Sequence, residues 1–222
     1  MAKDISAPSR RKPPAKPDPA EAAKLLQLID AAEDIFLQKG YHTATMSDVA
    51  KAAGMSKKTV YQLIDSKAEL FAVLLAHHQS LLNFPEPLPD WTVNKILTEH
   101  LLCLARFLLS PEQISIIRLI MAEYTHSPGL GRLFHEKRFN KAKSKLESCL
   151  VSLTSEQGMM LKDVREMSAM LFGMAIGEFH LGVLIGFRTA PSKAALESRI
   201  RRAVDIFLGG CGCSGQPPVT DM

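Results

Sequence analysis

Apolar residues recur at steps of three and four along nearly the whole chain. Leu25, Leu28, Ile29, Ala32, Ile35 and Phe36 form one stripe, with Gln27, Asp30, Glu33 and Asp34 opposite. That spacing predicts an amphipathic helix, ended by Gly40 as its C′ residue. Thr45 precedes a short pattern of Val49, Ala50 and Ala53 that stops at Gly54. Ser56 is placed to cap a second short helix from Lys57 to about Leu63. Ser66 and Glu69 form a capping box that opens a longer helix through Leu70, Phe71, Leu74 and Leu75. Further on, Val93 to Leu108 and Ile114 to Met121 read as amphipathic helices, separated by Pro111. Leu133 to Leu153 predicts a long helix with a basic face of Lys137, Arg138, Lys141, Lys143 and Lys145. Two more are expected, over about 162–188 and 192–208, the last ended by Gly209 and Gly210. No stretch alternates with the two-residue period of a strand, and no segment repeats, so the expectation is an all-α fold of about nine helices.

Proline divides this helical text. Pro8, Pro13, Pro14, Pro17 and Pro19 crowd the first twenty residues, and Pro85, Pro87 and Pro89 mark a second break. Because proline disrupts helix interiors, the chain is expected to divide into a disordered arm (1–20), a first helical domain (21–67), a larger helical domain (68–210) and a flexible tail (211–222). The net charge of +4 lies wholly in residues 1–17, while residues 18–67 sum to −1 and residues 68–222 to +1. Overall charge therefore says little about partners. The arm either adds phosphate or minor-groove contacts to DNA or serves as a solubilising tail.

The four cysteines do not form a secreted disulfide framework. Cys103 and Cys149 sit in apolar helical surroundings, where cysteine acts as a small hydrophobe. Cys211 and Cys213 have no second ligand pair at zinc-site spacing, and no metal or cofactor is expected. The start of the chain lacks a signal-peptide pattern, so the expected compartment is the cytoplasm. Met167 to Phe187 is long and apolar enough to suggest a membrane span, but Glu178 and His180 fall near its middle. A helix buried in a core or subunit interface is the better reading, and no membrane partner is expected.

The two short elements around Gly54 carry the functional signal. Small residues at Val49, Ala50 and Ala53 let one short helix cross the other closely, and glycine supplies the tight turn. The second helix opens with Ser-Lys-Lys-Thr, which puts cations and hydroxyls at the end that enters a major groove. Leu28 to Phe71, with Ala31-Ala32, Phe36, Gly40-Tyr41, Thr45, Val49-Ala50, Ala53-Gly54, Ser56, Thr59, Tyr61, Ser66-Lys67 and Leu70, resembles the N-terminal domain of the TetR/AcrR family of transcriptional regulators. Ile64 departs from the aromatic residue usual there but still suits a core position, and Leu63 replaces a frequent DNA-contacting residue.

The resemblance implies a three-helix DNA-reading domain followed by a helical effector and dimerisation domain. It places DNA contacts at Thr43, Thr45, Lys57, Lys58, Thr59, Tyr61 and Lys67. Lys57 can read guanine, with Lys58 a second reader or a phosphate partner. Thr59 reaches a base edge, Tyr61 a phosphate, and Thr43 and Thr45 a phosphate at the start of the first short helix. Lys67 is expected to face the DNA backbone. One short helix reads only a few base pairs, so a homodimer on a palindromic double-stranded operator is expected.

The phrases Ile116 to Phe134 and Met170 to Gly186 resemble AefR-like C-terminal domains. In the family the last two long helices pair with a second subunit, implying a homodimer through about 162–208. Gly173/Gly177 and Gly182/Gly186 recur four apart and either admit a partner helix or serve packing within one subunit. A small-molecule effector, apolar or amphipathic, would sit among Met121, Phe139, Met170 and Met174, with His100, Tyr124, Glu178 or His180 as polar anchors. The plainer reading of each is core, and for Glu178 an ion pair with arginine. The acid–His pairs Glu123/His126 and Glu178/His180 match no metal or triad signature, and no phosphate loop or Gly-x-Ser-x-Gly occurs. An enzyme is not expected. An adaptor without operator recognition is disfavoured by the intact Lys57, Thr59, Tyr61 and Lys67. The whole reading is a ligand-responsive regulator, most often a repressor in this family.

Overall fold

The computed structural model describes residues 19–157 and 163–211, with the backbone alone at 138–144 and 154–157. The arm, apart from Pro19 and Ala20, and the tail beyond Cys211 lie outside the described residues. Among those described there is no strand. The helices are α1 (Pro19–Lys39), α2 (Met46–Ala52), α3 (Lys57–Leu63), α4 (Lys67–Ser80), α5 (Val93–Leu108), α6 (Pro111–Ala122), α7 (Gly129–Phe134), α8 (Asn140–Gln157), α9 (Val164–Phe172), α10 (Glu178–Leu184) and α11 (Lys193–Gly210). A π turn at His135–Phe139 joins α7 to α8, and another at Gly173–Gly177 joins α9 to α10. Read through these turns, the described residues form nine rods.

Local chemistry sets most boundaries. Thr45 and Asp48 close a reciprocal capping box on α2, while Ser56, Ser66, Thr92, Ser110 and Ser192 cap the helices that follow them. Glu69 reaches one residue further back than a capping box requires, its Oε2 accepting from the Asp65 N–H at 2.8 Å. Pro111 starts α6 at its first turn, where a missing N–H costs nothing, and the chain bends by 60° between α5 and α6. Gly40 ends α1 at φ +80°, as expected. Gly209 and Gly210 do not end α11. Both keep helical backbone, and the cap falls at Cys211.

Two hydrophobic cores organise the rods. The first holds Leu28, Ala32 and Phe36 of α1, Val49 of α2, Val60 of α3, and Leu70, Phe71, Leu74 and Leu75 of α4. Phe36, Tyr41 and Phe71 meet in it as a trio with ring centroids 5.3–5.7 Å apart, the tilted geometry aromatic quadrupoles prefer. Ile116 and Leu119 of α6 and Leu130 of α7 belong to this same core. The core of the first domain therefore runs past residue 67 and takes in helices from the second half of the chain. The second core joins α5, α8, α9 and α11, with Leu97, Leu101, Leu150, Leu171 and Ile200 at its centre.

The proline linker is pinned to this second core. Lys145 donates to Leu82 O and lies over the Phe84 ring, Cys103 donates to Asn83 O, and Phe84 packs on His100. Of the expected basic face, only Lys137 and Lys145 have described side chains, and both are exposed.

Val164–Leu184 is a single 21-residue rod with the length and hydropathy of a membrane span. It buries Leu171, Ala175 and Ile176 in the second core, and 33% of its most apolar window is buried. Its opposite side leaves Met170 and Leu181 more than half exposed, as is Ile185 at its C-cap. The four glycines divide in role. Gly173 and Gly177 face open space. Gly182 lies beneath Arg188, whose Cδ is 2.6 Å from where a side chain would begin, and Gly186 ends α10 at φ +81°. The pair Gly182/Gly186 thus serves its own subunit, leaving Gly173/Gly177 as the open pair.

Candidate nucleic-acid interface

The two short helices sit on a rigid base. Val49, Ala50, Ala53 and Val60 are buried where α2 and α3 meet, and Gly54 makes the turn at φ +63°. Ile64 is buried as a core residue, and Leu63 packs half-buried against the same core. Residue Leu63 is therefore turned inward, while Lys57, Lys58 and Tyr61 remain exposed on α3. Thr59 is half-buried. The Ser56 hydroxyl accepts from its N–H at 3.0 Å, and the two hydroxyl oxygens are 2.8 Å apart. The recognition surface thus offers two free cations and a phenol, with one hydroxyl pair fixed in place.

The turn before α2 is tied from both sides. Thr45 Oγ1 donates to Asp48 Oδ2 at 2.7 Å and accepts from the Asp48 N–H at 3.1 Å. Lys39 Nζ lies 2.6 Å from Asp48 Oδ1. The bonds from Lys39 and then Thr45 hold the Asp48 carboxyl well below the usual carboxylate range. The Thr45 hydroxyl is thereby committed to its own cap, and Thr43 stays exposed beside it.

Lys67 does not stand as expected. Its ammonium donates to the carbonyls of Tyr41 at 2.8 Å, His42 at 3.0 Å and Ala44 at 2.9 Å, and it lies over the Tyr41 ring. An ammonium has three protons, so no donor is left for a phosphate. Lys67 instead holds the Tyr41–Ala44 turn against α4. Partial burial pulls its pKa down, opposed by the charge of Glu123.

Glu123 was not singled out as a site residue by sequence alone. It is buried at the end of α6, with Oε1 2.7 Å from the point where a Gly40 side chain would begin and Oε2 without a hydrogen-bond partner. Burial first, and then Glu123, push the neighbouring Tyr41 phenol up. The signal was present, since Glu123 stands in helical register with Ile116 and Leu119.

The structure does not gather the expected effector residues into one site. Met121 and Tyr124 are exposed, at 53% and 73%, because the inner face of α6 is taken by Ile116 and Leu119. Met170 and Met174 do meet, but in an outward apolar groove of about 470 Å³ with Met167, Gly173, Ile206, Phe207 and Gly210. Glu178 is exposed and pairs with Arg188 at 3.1 Å and Arg199 at 3.4 Å, so an ion pair satisfies it. Arg199 also donates to Met174 O at 2.8 Å, bracing the π turn. His100 is buried with Nδ1 2.9 Å from Ile96 O. His180 is half-buried with no partner for Nε2. Burial lowers the pKa of both rings, opposed at His100 by the bond to the Ile96 carbonyl. The Phe139 side chain lies outside the described residues. Among the described residues, no three His, Cys, Asp or Glu side chains group to hold a metal.

A family model described as bacterial regulatory proteins, tetR family, matches residues 28–74. Another, described as the C-terminal domain of AefR-like transcriptional repressors, matches residues 95–210, more than half of the chain. The chain belongs to the TetR family. The HTH-type transcriptional activator FasR of Mycolicibacterium smegmatis is 44% identical over 52 residues, 23% of this chain and 24% of that protein. YdeS of Bacillus subtilis, named an uncharacterized HTH-type transcriptional regulator, is 37% identical over 97 residues, 43% of this chain and 47% of its own. The chain thus spans between about a quarter and about half the length of these curated relatives. Solved structures match further. A TetR-family regulator from Mesorhizobium loti is 28% identical, with TM-score 0.72 over 87% of this chain and 98% of its own. The Flavonoid-responsive Regulator FrrA is 26% identical, with TM-score 0.74 over 85% and 97%. This TetR-family member is a DNA-binding transcription regulator, with a helix-turn-helix reading head and a C-terminal domain that matches those of AefR-like repressors. Its relatives are named for regulation, a non-enzymatic role.

Proposed function

We propose that this regulator is a cytoplasmic homodimer that represses from a palindromic operator and releases it when a small molecule binds the C-terminal domain. The observation that carries this reading is α3. It is short, exposed at Lys57, Lys58 and Tyr61, and seated on a buried base that cannot shift without disturbing the first core. Lys57 and Thr59 read base edges, Lys58 engages base or phosphate, and Tyr61 reaches a phosphate. Thr43 faces a phosphate at the entrance to α2, while Thr45 acts there through the cap its hydroxyl closes with Asp48, and Lys67 supports the contact by holding the turn.

A helix of this length reads few base pairs, which favours two copies on two half-sites. The exposed apolar side of α9, α10 and α11 is the surface that supports dimerisation. The AefR-like description favours repression, and FrrA's name, flavonoid-responsive, favours an apolar or amphipathic effector for this chain as well. Effector binding would stabilise a conformer whose heads no longer match the half-site spacing.

Selection of bound sequences from random DNA should recover one palindromic site. Lys57→Ala and Tyr61→Ala should weaken binding to it by roughly 10- to 100-fold, the scale of one lost base or phosphate contact. A native protein that prefers no sequence over random DNA would overturn the reading.

A further inference from the structure

His78 lies on the buried stripe of α4, in register with Phe71, Leu74 and Leu75, and is only 5% exposed. Its ring joins three helices. Nε2 is 2.8 Å from Glu33 Oε2 on α1, and Nδ1 is 2.9 Å from Gln113 Nε2 on α6. One assignment makes both bonds at once: the Gln113 amide donates to Nδ1, and Nε2 carries the proton given to Glu33. Gln113 is 2% exposed and its Oε1 has no partner, so among the described residues the bond to His78 is what satisfies this buried amide.

The position of the relay matters more than its strength. Glu33 lies in the matched reading-head segment 28–74 and Gln113 in the matched C-terminal segment 95–210. Beside it, α6 meets the reading head through Ile116 and Leu119. Apolar contacts of that kind are non-directional and tolerate a small slide. Buried hydrogen bonds do not, because a shift leaves the Gln113 amide and the His78 imidazole unpaired away from water and takes the half-buried Glu33 carboxylate off its partner. The relay is therefore either made or broken.

We propose that Glu33–His78–Gln113 is a positioning relay that sets the angle of the reading head against α6, and thereby the half-site spacing the dimer accepts. This rests on the operator-binding dimer above. His78 touches no DNA in this scheme and acts through α1 and α6.

The test uses the full chain and the selected operator, with its central spacer lengthened or shortened by one and two base pairs. Wild type should discriminate sharply among spacers. His78→Leu should flatten that preference by about tenfold, the scale of one buried coupling. His78→Gln, whose amide can donate to Glu33 and accept from Gln113, should restore it. Gln113→Leu removes only the α6 end and should flatten it too, which keeps the test open if His78→Leu fails to fold. Melting temperatures are read alongside. A spacing profile unchanged in both Leu variants, or one that follows melting temperature across all three, overturns the relay. Absence of any operator preference in wild type would instead sink the underlying function.

Discussion

At the first turn of α4, one ammonium holds three carbonyls of the turn that leads into α2. Lys67 had every sequence credential of a phosphate contact: a cation in the first turn of a capped helix, in a motif of DNA-reading residues. What redirected it was the shape of the Tyr41–Ala44 turn, which points its carbonyls inward at a spacing an ammonium fits. That is a property of backbone path, which residue type does not reveal. The expected consequence is measurable. Lys67→Met should lower stability by about 1.5–3 kcal/mol, the range for hydrogen bonds to a charged group. It should also weaken operator binding. A direct phosphate contact adds about 0.9 to the slope of log affinity against log salt. The loss in Lys67→Met should leave that slope unchanged, and a salt titration of wild type and variant decides the point.

At the scale of elements, the joint between α1 and α6 rests on a glycine. Gly40 takes a positive φ to end α1, and the carboxylate of Glu123 fills the space a side chain would need. Gly40→Ala should therefore meet two costs. The left-handed backbone alone is worth roughly 1–2 kcal/mol, and displacing the buried carboxylate adds to it. Thermal unfolding should show a drop of at least about 2–8 °C for a chain of this size. An unchanged melting temperature would mean that α6 gives way freely at this joint. The helices themselves were legible because caps and stripes are local: Thr45, Ser56, Ser66 and Ser192 each sit one residue before the helix they begin. The two π turns were not, since the residues at His135–Phe139 and Gly173–Gly177 keep helical character while the hydrogen-bond step changes. The Arg199 bond to Met174 O that braces the second turn comes from another rod.

For the whole molecule, the apolar side of α9–α11 is the surface on which the proposed dimer is tested. Ile206, Met170, Leu181 and Ile185 are each about half exposed or more, and Ile206 and Met170 share the outward groove with Gly173 and Gly210. Ile206→Glu would place a charge there at little cost to the monomer's own core. Sedimentation should then report a species near the 24.4 kDa of one chain, where the proposed dimer predicts twice that for wild type. Operator affinity should fall with it, because each half-site would be bound alone. A wild-type chain that sediments as a monomer at binding concentrations would remove the dimer from the proposal.

Sequence by itself determined the helical fold, the caps that open α3 and α4, the glycine that ends α1, the helix-turn-helix and the family, because these depend on periodicity and on residue types at short spacing. It also marked Lys57, Lys58 and Tyr61, whose exposure follows from their place on a short helix packed by Val60 and Ile64. Tertiary structure alone decided the pairings across distance. It turned Lys67 onto carbonyls and Glu178 onto Arg188 and Arg199. It sent Met121 and Tyr124 outward, and set His78 between Glu33 and Gln113. The physical reason is the same in each case. A polar side chain reaches whichever partner the packed helices bring within about 3 Å, and apolar packing between distant rods chooses that partner.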